Sequence, residues 1–478
     1  LAQEFWYKEG ITYSAITSRG TGFRHLPEGC IFDKGGPSIN LRNNMSEILA
    51  LLNSNVAKYY FWVFNPSINL QVKDIKNLPI ILSEDYQIKE KADWNLECCK
   101  NDWDSFETSW DFKRHPLLSV IPRNSSLFDD IDLSECYTCW DNECNERFNQ
   151  LKANEEELNR IFIDIYGLQD ELTPEVEERD VTVRRADLQR DIKSLISYAV
   201  GCMFGRYSLN EEGLVLAGQP FESHFYAATA PVAGTGVAGA PGEYLPTGTY
   251  YYKDKNGDLQ KCSFAPDRDN IIPITDEEYF EDDIVSRFCD WLKTAFGVKL
   301  FDTNMDFIAK ALGNKGDTSR EVIRNYFLND FFKDHCNTYS VTGSGKRPIY
   351  WLFDSGRQNG FKALIYMHRY NADTVGRVRT DYLHRAQKYV ETAMQSAQYT
   401  LDNASSASEK SKATKAITKY TKQLAEMKIY DEAIAHIANQ RIEIDLDDGV
   451  KVNYEKFQGV EVAEEGKKAL KVDLLAKI

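Results

Sequence analysis

The feature that most constrains the fold is a set of apolar residues spaced three and four apart between residues 375 and 438. This spacing places apolar side chains along one stripe of a helix, as in a coiled-coil seam. The pattern is interrupted by the Asn-Ala-Ser-Ser-Ala-Ser stretch at 403–408, which favours a turn. We therefore expect two long helices that form an antiparallel hairpin. The apolar positions are Val375, Val378, Tyr382, Ala386, Tyr389, Ala393 and Ala397 in the first helix, and Ala413, Ile417, Tyr420, Leu424, Met427, Ile434 and Ile437 in the second.

The segment just before this hairpin combines strand-forming and basic residues. Residues 346–370 contain two β-branched and aromatic runs around a Ser-Gly-Arg-Gln-Asn-Gly turn, which predicts two buried strands. Residues 341–390 carry nine Lys/Arg against three Asp, although the net charge of the chain is −16. Aromatic residues are interleaved with these bases, which favours a polyanion contact, and nucleic acid is the most common polyanion. The alternative is a solvated face beside an ordinary strand core. The interleaved aromatics are Tyr350, Trp351, Phe353, Phe361, Tyr366, Tyr370 and Tyr382.

Candidate DNA-contacting residues follow from this pattern. Lys and Arg side chains contact phosphates, whereas Arg, Asn and Gln can read base edges. The phosphate and groove candidates in the basic segment are Lys346, Arg347, Arg357, Lys362, Arg369, Arg377 and Arg379, and the base-edge candidates are Gln358 and Asn359. Further candidates in or near Gly-bearing N-terminal loops are Arg19, Arg24, Lys34 and Arg42. The alternatives are turn chemistry for the 355–360 tip, solvated surface charges for the N-terminal bases, and an acidic core neighbour for Arg347.

The acidity of the chain is concentrated in one region. Residues 125–180 hold 17 Asp/Glu against four Lys/Arg, so this face is expected to point away from phosphates and to suit basic partners. Elsewhere the pattern predicts helices at 46–62 with Ser46 as N-cap, at 138–168 ending at Gly167, and at 187–208, 276–297 and 318–335. A hairpin is expected around Asn256-Gly257, and the Ala/Gly/Thr/Pro-rich stretch 227–248 is expected to be a mobile insertion.

These elements predict an α+β fold with mixed sheet domains of target-recognition type, a helical bundle and the long antiparallel helical hairpin. The expected divisions are a first target-recognition part at 1–84, an acidic helical region at 85–222 and an insertion with a hairpin at 223–274. An α/β part with basic strands at 275–374, the helical hairpin at 375–440 and a C-terminal tail at 441–478 would follow.

Catalytic and metal-binding motifs are hard to assemble from this sequence. Residues 234–239 match G-x-G-x-x-G, but no strand precedes them and Pro241 opposes a following helix. The seven His residues form no HxH or HxxxH pair, and Cys136, Cys139 and Cys144 are expected to be free thiols rather than zinc ligands. The Asn65-Pro66-Ser67-Ile68 stretch lacks the second Pro and the aromatic of an amino-methyltransferase motif, so we interpret it as structural. No run of 18 apolar residues is present, and no membrane partner is expected.

Several stretches, in this order along the chain, resemble the PglX family, the adenine-specific DNA methyltransferases of BREX phage-defence systems. The N-terminal stretches at 6–12, 18, 23–33, 52–54 and 65–79 resemble a target-recognition region of such enzymes. The Ile-Tyr-Gly-Leu helix end at 165–168, the stretch at 196–208 and Lys-Arg-Pro-Ile-Tyr-Trp-Leu-Phe at 346–353 complete the set.

The resemblance implies a division of labour within a longer enzyme. Family members carry the methyltransferase domain N-terminal to such a region, with its S-adenosylmethionine loop and Asn-Pro-Pro-Tyr/Phe motif. Neither motif occurs in this sequence, which begins at Leu1, so the chain is expected to be the later, non-catalytic, target-recognition part. The implied parent activity is site-specific adenine DNA methylation in the bacterial cytoplasm, and S-adenosylmethionine is expected in the N-terminal domain rather than here.

The partners implied by the resemblance are double-stranded DNA and the N-terminal methyltransferase domain of the same polypeptide. Other BREX proteins are further candidates. The competing hypothesis is a protein-interaction scaffold of a defence complex, in which the acidic helices and the helical hairpin dock other components without direct DNA contact.

Overall fold

The structure, a computed structural model, describes residues 3–17, 20, 22–83, 85–120, 130–227, 250–313, 315–341, 345–463 and 469–478. It is an α+β fold, as the sequence predicts, with many helices and small antiparallel sheets. The chain divides into two compact units, an N-terminal unit of residues 1–106 and 139–186 and a C-terminal unit of residues 107–138 and 187–478. The stretch expected to be a mobile insertion lies, beyond residue 227, outside the described residues.

The strands are short and all of their pairings are antiparallel in the described part of the chain. The sheets have the orders β2-β1-β3, β4-β5-β6, β10-β11-β7, β8-β9 and β12-β13. The strands are β1 (Gly10–Tyr13), β2 (Phe23–Leu26), β3 (Ser38–Ile39), β4 (Tyr226–Ala227), β5 (Tyr250–Lys253), β6 (Leu259–Lys261), β7 (Ile272–Pro273), β8 (Ser340–Val341), β9 (Gly345–Lys346), β10 (Tyr350–Asp354), β11 (Lys362–Tyr366), β12 (Val460–Val462) and β13 (Leu470–Val472).

The helices account for most of the regular structure. They are α1 (Met45–Asn53), α2 (Asn55–Phe64), α3 (Val72–Lys76), α4 (Tyr86–Asp104), α5 (Pro116–Ser119), α6 (Leu133–Tyr166), α7 (Leu188–Met203), α8 (Ile284–Phe296), α9 (Phe301–Leu312), α10 (Ser319–Asn329), α11 (Phe331–Thr338), α12 (Thr374–Arg377), α13 (His384–Asn403), α14 (Ala407–Gln440) and α15 (Gly449–Glu455). None of these helices, among the residues that the structure describes, has both the length and the apolar character needed to cross a membrane.

The N-terminal unit packs its small sheet against α1 and α2. The predicted helix at 46–62 is present, but it is wrong in two details. Helix α1 begins at Met45, so Ser46 is not its N-cap, and the helix breaks at Ser54. Ser54 has an extended backbone and its hydroxyl accepts a hydrogen bond from the Ala57 amide, which starts a new helix.

The acidic helix α6 is terminated by Gly167, as the sequence predicts. Gly167 has a φ of 65°, and the amide of Leu168 donates to the carbonyl of Ile163 at 3.0 Å. This pattern is the glycine-terminated helix end that the sequence predicts. The helix is longer than expected because it begins at Leu133 rather than near residue 138.

The C-terminal unit surrounds the β10-β11-β7 sheet with helices. The Asn256-Gly257 hairpin is confirmed by the pairing of β5 with β6. Helix α8 begins later than predicted because Asp283 accepts a hydrogen bond from the Val285 amide and caps it. The predicted helix at 318–335 is divided into α10 and α11 at Asp330.

The antiparallel helical hairpin is confirmed. Gln387 Nε2 donates to the carbonyl of Met427 at 3.4 Å, and Thr421 Oγ1 contacts the sulfur of Met394 at 3.8 Å. A residue later in α13 therefore meets a residue earlier in α14, which is the antiparallel register. The loop between the helices is only residues 404–406, and α13 is preceded by a π-helical segment at 378–383.

Candidate nucleic-acid interface

The β10–β11 hairpin positions the centre of the basic segment, but its aromatic residues face inward. Tyr350, Trp351, Phe353 and Tyr366 are at most 1% exposed, and Phe361 is fully buried. The rings pack on neighbouring aromatics, for example Trp351 on Phe457 with ring centroids 5.7 Å apart. The prediction of two buried strands is therefore confirmed, and these aromatics belong to the strand core that was the alternative to a shared surface with the bases.

The turn between the two strands, residues 355–360, carries the best-exposed candidates. Arg357 and Gln358 are exposed, and Asn359 is half-buried with a φ of 53°. Asn tolerates this left-handed backbone better than most residues, so Asn359 has a structural role in closing the turn. Arg357 and Gln358 thus project at the tip, and we call residues 355–360 the tip turn.

Helix α14 holds the tip turn in place through one carboxylate. Glu426 accepts hydrogen bonds from the Ser355 hydroxyl at 2.8 Å and from the backbone amides of Gln358 at 2.8 Å and Gly360 at 3.2 Å. Gln423 Nε2 donates to the carbonyls of Gln358 and Asn359, at 3.2 Å each. A loop fixed from outside in this way presents its free side chains with little loss of conformational entropy on binding.

Lys346 and Arg347 lie beyond the opposite end of β10. Both are exposed, and the backbone amide of Arg347 donates to the carbonyl of Tyr339 at 2.9 Å. Neither base, nor Arg357, forms an ion pair with any residue of the described ranges, so Arg347 does not pair with an acidic core neighbour there. These three cations remain available to an external anion.

Two other candidates, Lys362 and Arg369, use their donors inside the C-terminal unit. Lys362 is 8% exposed, and its Nζ donates to the carbonyl of Leu328 at 2.8 Å and lies 3.6 Å from Asp354 Oδ2. Arg369 donates to the carbonyls of Phe204, Asp267 and Arg268, and burial lowers the pKa of its guanidinium. Because their donors are already used inside the C-terminal unit, neither side chain is suited to contact a phosphate.

Arg377 and Arg379 are partly exposed but already paired. Arg377 lies 3.0 Å from Asp269 Oδ2, and Arg379 forms a bidentate pair with Asp431 at 2.8 and 3.2 Å. Bidentate carboxylate pairing fixes the guanidinium and neutralises most of its field. We therefore treat these two arginines as residues that fasten the start of the helical hairpin.

The remaining candidates, Arg19, Arg24, Lys34 and Arg42, belong to the N-terminal unit. Arg24 on β2, Lys34 and Arg42 are exposed, whereas Arg19 lies outside the described residues. Burial raises the pKa of Glu155 to about 7, and the charges of Lys58 and Arg24 oppose that shift. Arg24 therefore lies in the field of an acidic helix, which weakens it as a phosphate contact.

The described part of the C-terminal unit also contains a cleft away from the tip turn. This cleft of about 690 Å³ is lined by charged and aromatic side chains that include Asp267, Asp269 and Arg369. Asp267 accepts a hydrogen bond from the Asn270 amide and Asp269 pairs with Arg377, and no cluster suited to a metal ion is found within the part of the chain that the structure describes.

Two parts of this surface are not evident from the basic segment itself. Glu426 supports the tip turn although it lies 68 residues from Gln358 along the chain. No local sequence pattern therefore indicates this contact. The exposed lysines of α14 could have been found, because Lys412, Lys415, Lys419 and Lys422 are spaced for one helix face.

Comparison with known proteins supports the resemblance found in the sequence. No protein-family model matches the chain. The chain is 41% identical over 460 residues to "Adenine-specific methyltransferase PglX" of Lacticaseibacillus casei (strain Zhang), which covers 95% of this chain and 35% of that protein. It is 32% identical over 480 residues to "Adenine-specific methyltransferase BrxX" of Escherichia coli O9:H4 (strain HS). This match covers 95% of this chain and 36% of that protein. The chain thus spans about a third of the length of these curated relatives.

Proposed function

We propose that this chain recognises and clamps duplex DNA for an adenine-specific DNA methyltransferase of a BREX phage-defence system. The similarity to two adenine-specific methyltransferases over 95% of the chain supports the enzyme class. The observation that carries the DNA-binding role is the tip turn, where Arg357 and Gln358 are exposed on a backbone that Glu426 fixes.

The exposed residues provide the two kinds of contact that a DNA reader needs. Arg347 and Arg357 lie beyond opposite ends of β10, a strand of five residues whose own ends are about 13 Å apart at 3.3 Å per step. This distance spans several phosphates of a duplex, where successive phosphates rise by about 3.4 Å along each strand. Gln358 sits beside Arg357 and can form paired hydrogen bonds to an adenine edge in the major groove.

Under this proposal, methyl transfer takes place outside the present chain. A methyltransferase that flips its target base needs the duplex held in register while the base leaves the stack. The clamp supplies this positioning, and S-adenosylmethionine binds to another part of the enzyme. Base readout at the tip turn then determines which adenine reaches the catalytic site.

The recognition role can be tested by exchanging regions between relatives. The region of the Lacticaseibacillus casei relative that matches this chain would be replaced by this chain, and methylated adenines would be mapped by sequencing in cells that express either form. We expect the chimaera to methylate a motif different from that of the unmodified relative, because the inserted chain reads the sequence. An active chimaera that keeps the original motif would refute the proposal.

The competing scaffold function predicts a different pattern. A protein-docking region would leave the methylated motif unchanged and would instead change which proteins are recovered with the enzyme. The internal pairing of Arg377 and Arg379 removes part of the basic character that first suggested DNA binding. The exposed Lys346, Arg347 and Arg357 remain, and they favour DNA recognition over the scaffold.

A further inference from the structure

The central part of α14 carries an exposed face of lysines. Residues 410–425 contain five lysines and no Asp or Glu. Four of these lysines are spaced by three, four and three residues, which places them within about 80° around the helix at 100° per residue. We call this set, Lys412, Lys415, Lys419 and Lys422, the lysine face, and all four residues are exposed.

Most of the lysine face has no carboxylate partner. Lys419 is paired with Asp276 at 2.6 Å and lies 3.6 Å from Glu277. Lys412, Lys415 and Lys422 form no ion pair with residues in the described ranges. Three free ammonium groups on one side of a helix repel each other, so an external anion would be bound favourably there.

Threonine hydroxyls on the same helix are not available to donate to that anion. The hydroxyls of Thr414, Thr418 and Thr421 each donate to the carbonyl four residues earlier, at 2.8 to 2.9 Å. Their only proton is therefore used within the helix. The lysines are consequently the charged donors that this surface offers.

The lysine face is continuous with the tip turn. Gln423 and Glu426, which hold the backbone of the tip turn, lie one and four residues after Lys422 on the same helix. Arg357 and Gln358 therefore project beside the C-terminal end of the lysine face. From Lys412 to Glu426 the helix extends about 21 Å at 1.5 Å per residue, a length of about six base pairs at 3.4 Å each.

We propose that the lysine face is a second phosphate-binding surface, along which the duplex backbone continues from the tip turn toward the end of the helical hairpin. This inference rests on the proposed DNA-binding function and extends it to residues outside the basic segment. The regular series of cations and its continuity with Arg357 favour a nucleic-acid backbone over an acidic protein surface, because a duplex presents one charge per phosphate along its whole length.

The chain contains a matched control on the same helix. Lys410 and Lys428 are also exposed, but they lie about 120° to 140° around the helix from Lys415 and Lys422, by the same 100° per residue. The double variants Lys415→Glu/Lys422→Glu and Lys410→Glu/Lys428→Glu change the net charge by the same amount. Circular dichroism of both variants verifies that α14 is retained.

The test measures duplex binding by the full chain at several salt concentrations, together with a hydroxyl-radical footprint. For Lys415→Glu/Lys422→Glu we expect the slope of log affinity against log salt to fall by about two, at about 0.9 per phosphate contact. Affinity at about 50 mM salt should fall at least about tenfold, and the footprint should shorten at one edge by several base pairs. The control variant should stay within about twofold of wild type, as expected for charges remote from the contact.

The remaining outcomes would overturn the inference in distinguishable ways. If both double variants lose affinity equally, the effect is one of net charge and the lysine face is not a contact. If Lys415→Glu/Lys422→Glu behaves as wild type while Arg347→Glu/Arg357→Glu loses binding, the proposed function stands and the lysine face is excluded. If wild type binds no duplex but binds polyglutamate through Lys415 and Lys422, both DNA proposals fail and the face serves an acidic protein.

Discussion

Replacing Glu426 with alanine should loosen the tip turn while leaving the positive charge of Arg357 in place. The carboxylate accepts hydrogen bonds from Ser355 Oγ, the Gln358 amide and the Gly360 amide, at 2.8, 2.8 and 3.2 Å. Hydrogen bonds to a charged group contribute about 1.5 to 3 kcal/mol each when they are shielded from water. The change therefore removes the principal side-chain support of the turn.

The expected magnitude is smaller than the sum of the three bonds. Gln358 is exposed, so its amide can bond to water instead. The Ser355 hydroxyl keeps its contact with the Phe361 amide at 2.8 Å. Gly360 is buried, and an unpaired amide there costs about 1 to 3 kcal/mol. We expect the free energy of opening the turn to fall by about 2 to 3 kcal/mol in total.

Amide hydrogen exchange measures this opening directly. A loss of 2 to 3 kcal/mol corresponds to exchange about 30- to 150-fold faster at Gly360, since each 1.36 kcal/mol is a factor of ten. The salt dependence of duplex binding should stay unchanged because Arg357 keeps its charge, whereas discrimination between DNA sequences should weaken. Glu426→Gln keeps one acceptor oxygen and should show a smaller effect. Unchanged exchange at Gly360 in Glu426→Ala would refute the support role of this carboxylate.

Three further variants test other parts of the structure. Asp283→Asn should destabilise the C-terminal unit by about 3 to 5 kcal/mol in urea denaturation, because it breaks a buried pair with Arg324 at 2.8 Å; an unchanged midpoint would contradict this. Burial raises the pKa of Glu155 from 4.5 to about 7, so the folded form binds more protons than the unfolded chain in that range, and stability falls as pH rises through it. Glu155→Gln should therefore stabilise the protein by about 1 to 2 kcal/mol at pH 8, allowing for solvent screening, with little effect at pH 4; equal stabilisation at both pH values would count against it. Lys362→Met should keep the salt dependence of duplex binding, because its ammonium contacts only internal groups; a lower slope would place Lys362 in the interface after all.

The sequence predicted those parts of the fold that depend on local periodicity. The helical hairpin, the Gly167 helix end and the strands around the tip turn follow from spacing, turn residues and β-branched content, and the structure confirms them. The break at Ser54 and the late start of α8 were missed, because a side chain that caps a helix can interrupt an otherwise continuous apolar pattern. The predicted domain divisions and the placement of this chain within a longer enzyme stay predictions.

The candidate site was predictable only in part, because charge alone does not reveal whether a base is paired. Lys362 and Arg357 are close in sequence and equally basic, yet one is buried against Leu328 and the other is exposed. The difference arises because Lys362 begins a strand that is buried at all five positions, whereas Arg357 lies in the turn that precedes that strand. The apolar spacing of α14 predicts the seam of the hairpin but carries no information on whether the lysines of its polar face are paired.

The most direct test of DNA contact is the salt dependence of duplex binding by the full chain. Wild type would be compared with Arg347→Glu/Arg357→Glu and with the control Lys410→Glu/Lys428→Glu between about 50 and 200 mM salt. We predict that binding by wild type weakens steeply with salt and that the Arg347/Arg357 variant loses about two units of slope, at about 0.9 per contact, whereas the control does not. Equal slopes for all three proteins, or no duplex binding by wild type at about 50 mM salt, would contradict the proposed clamp.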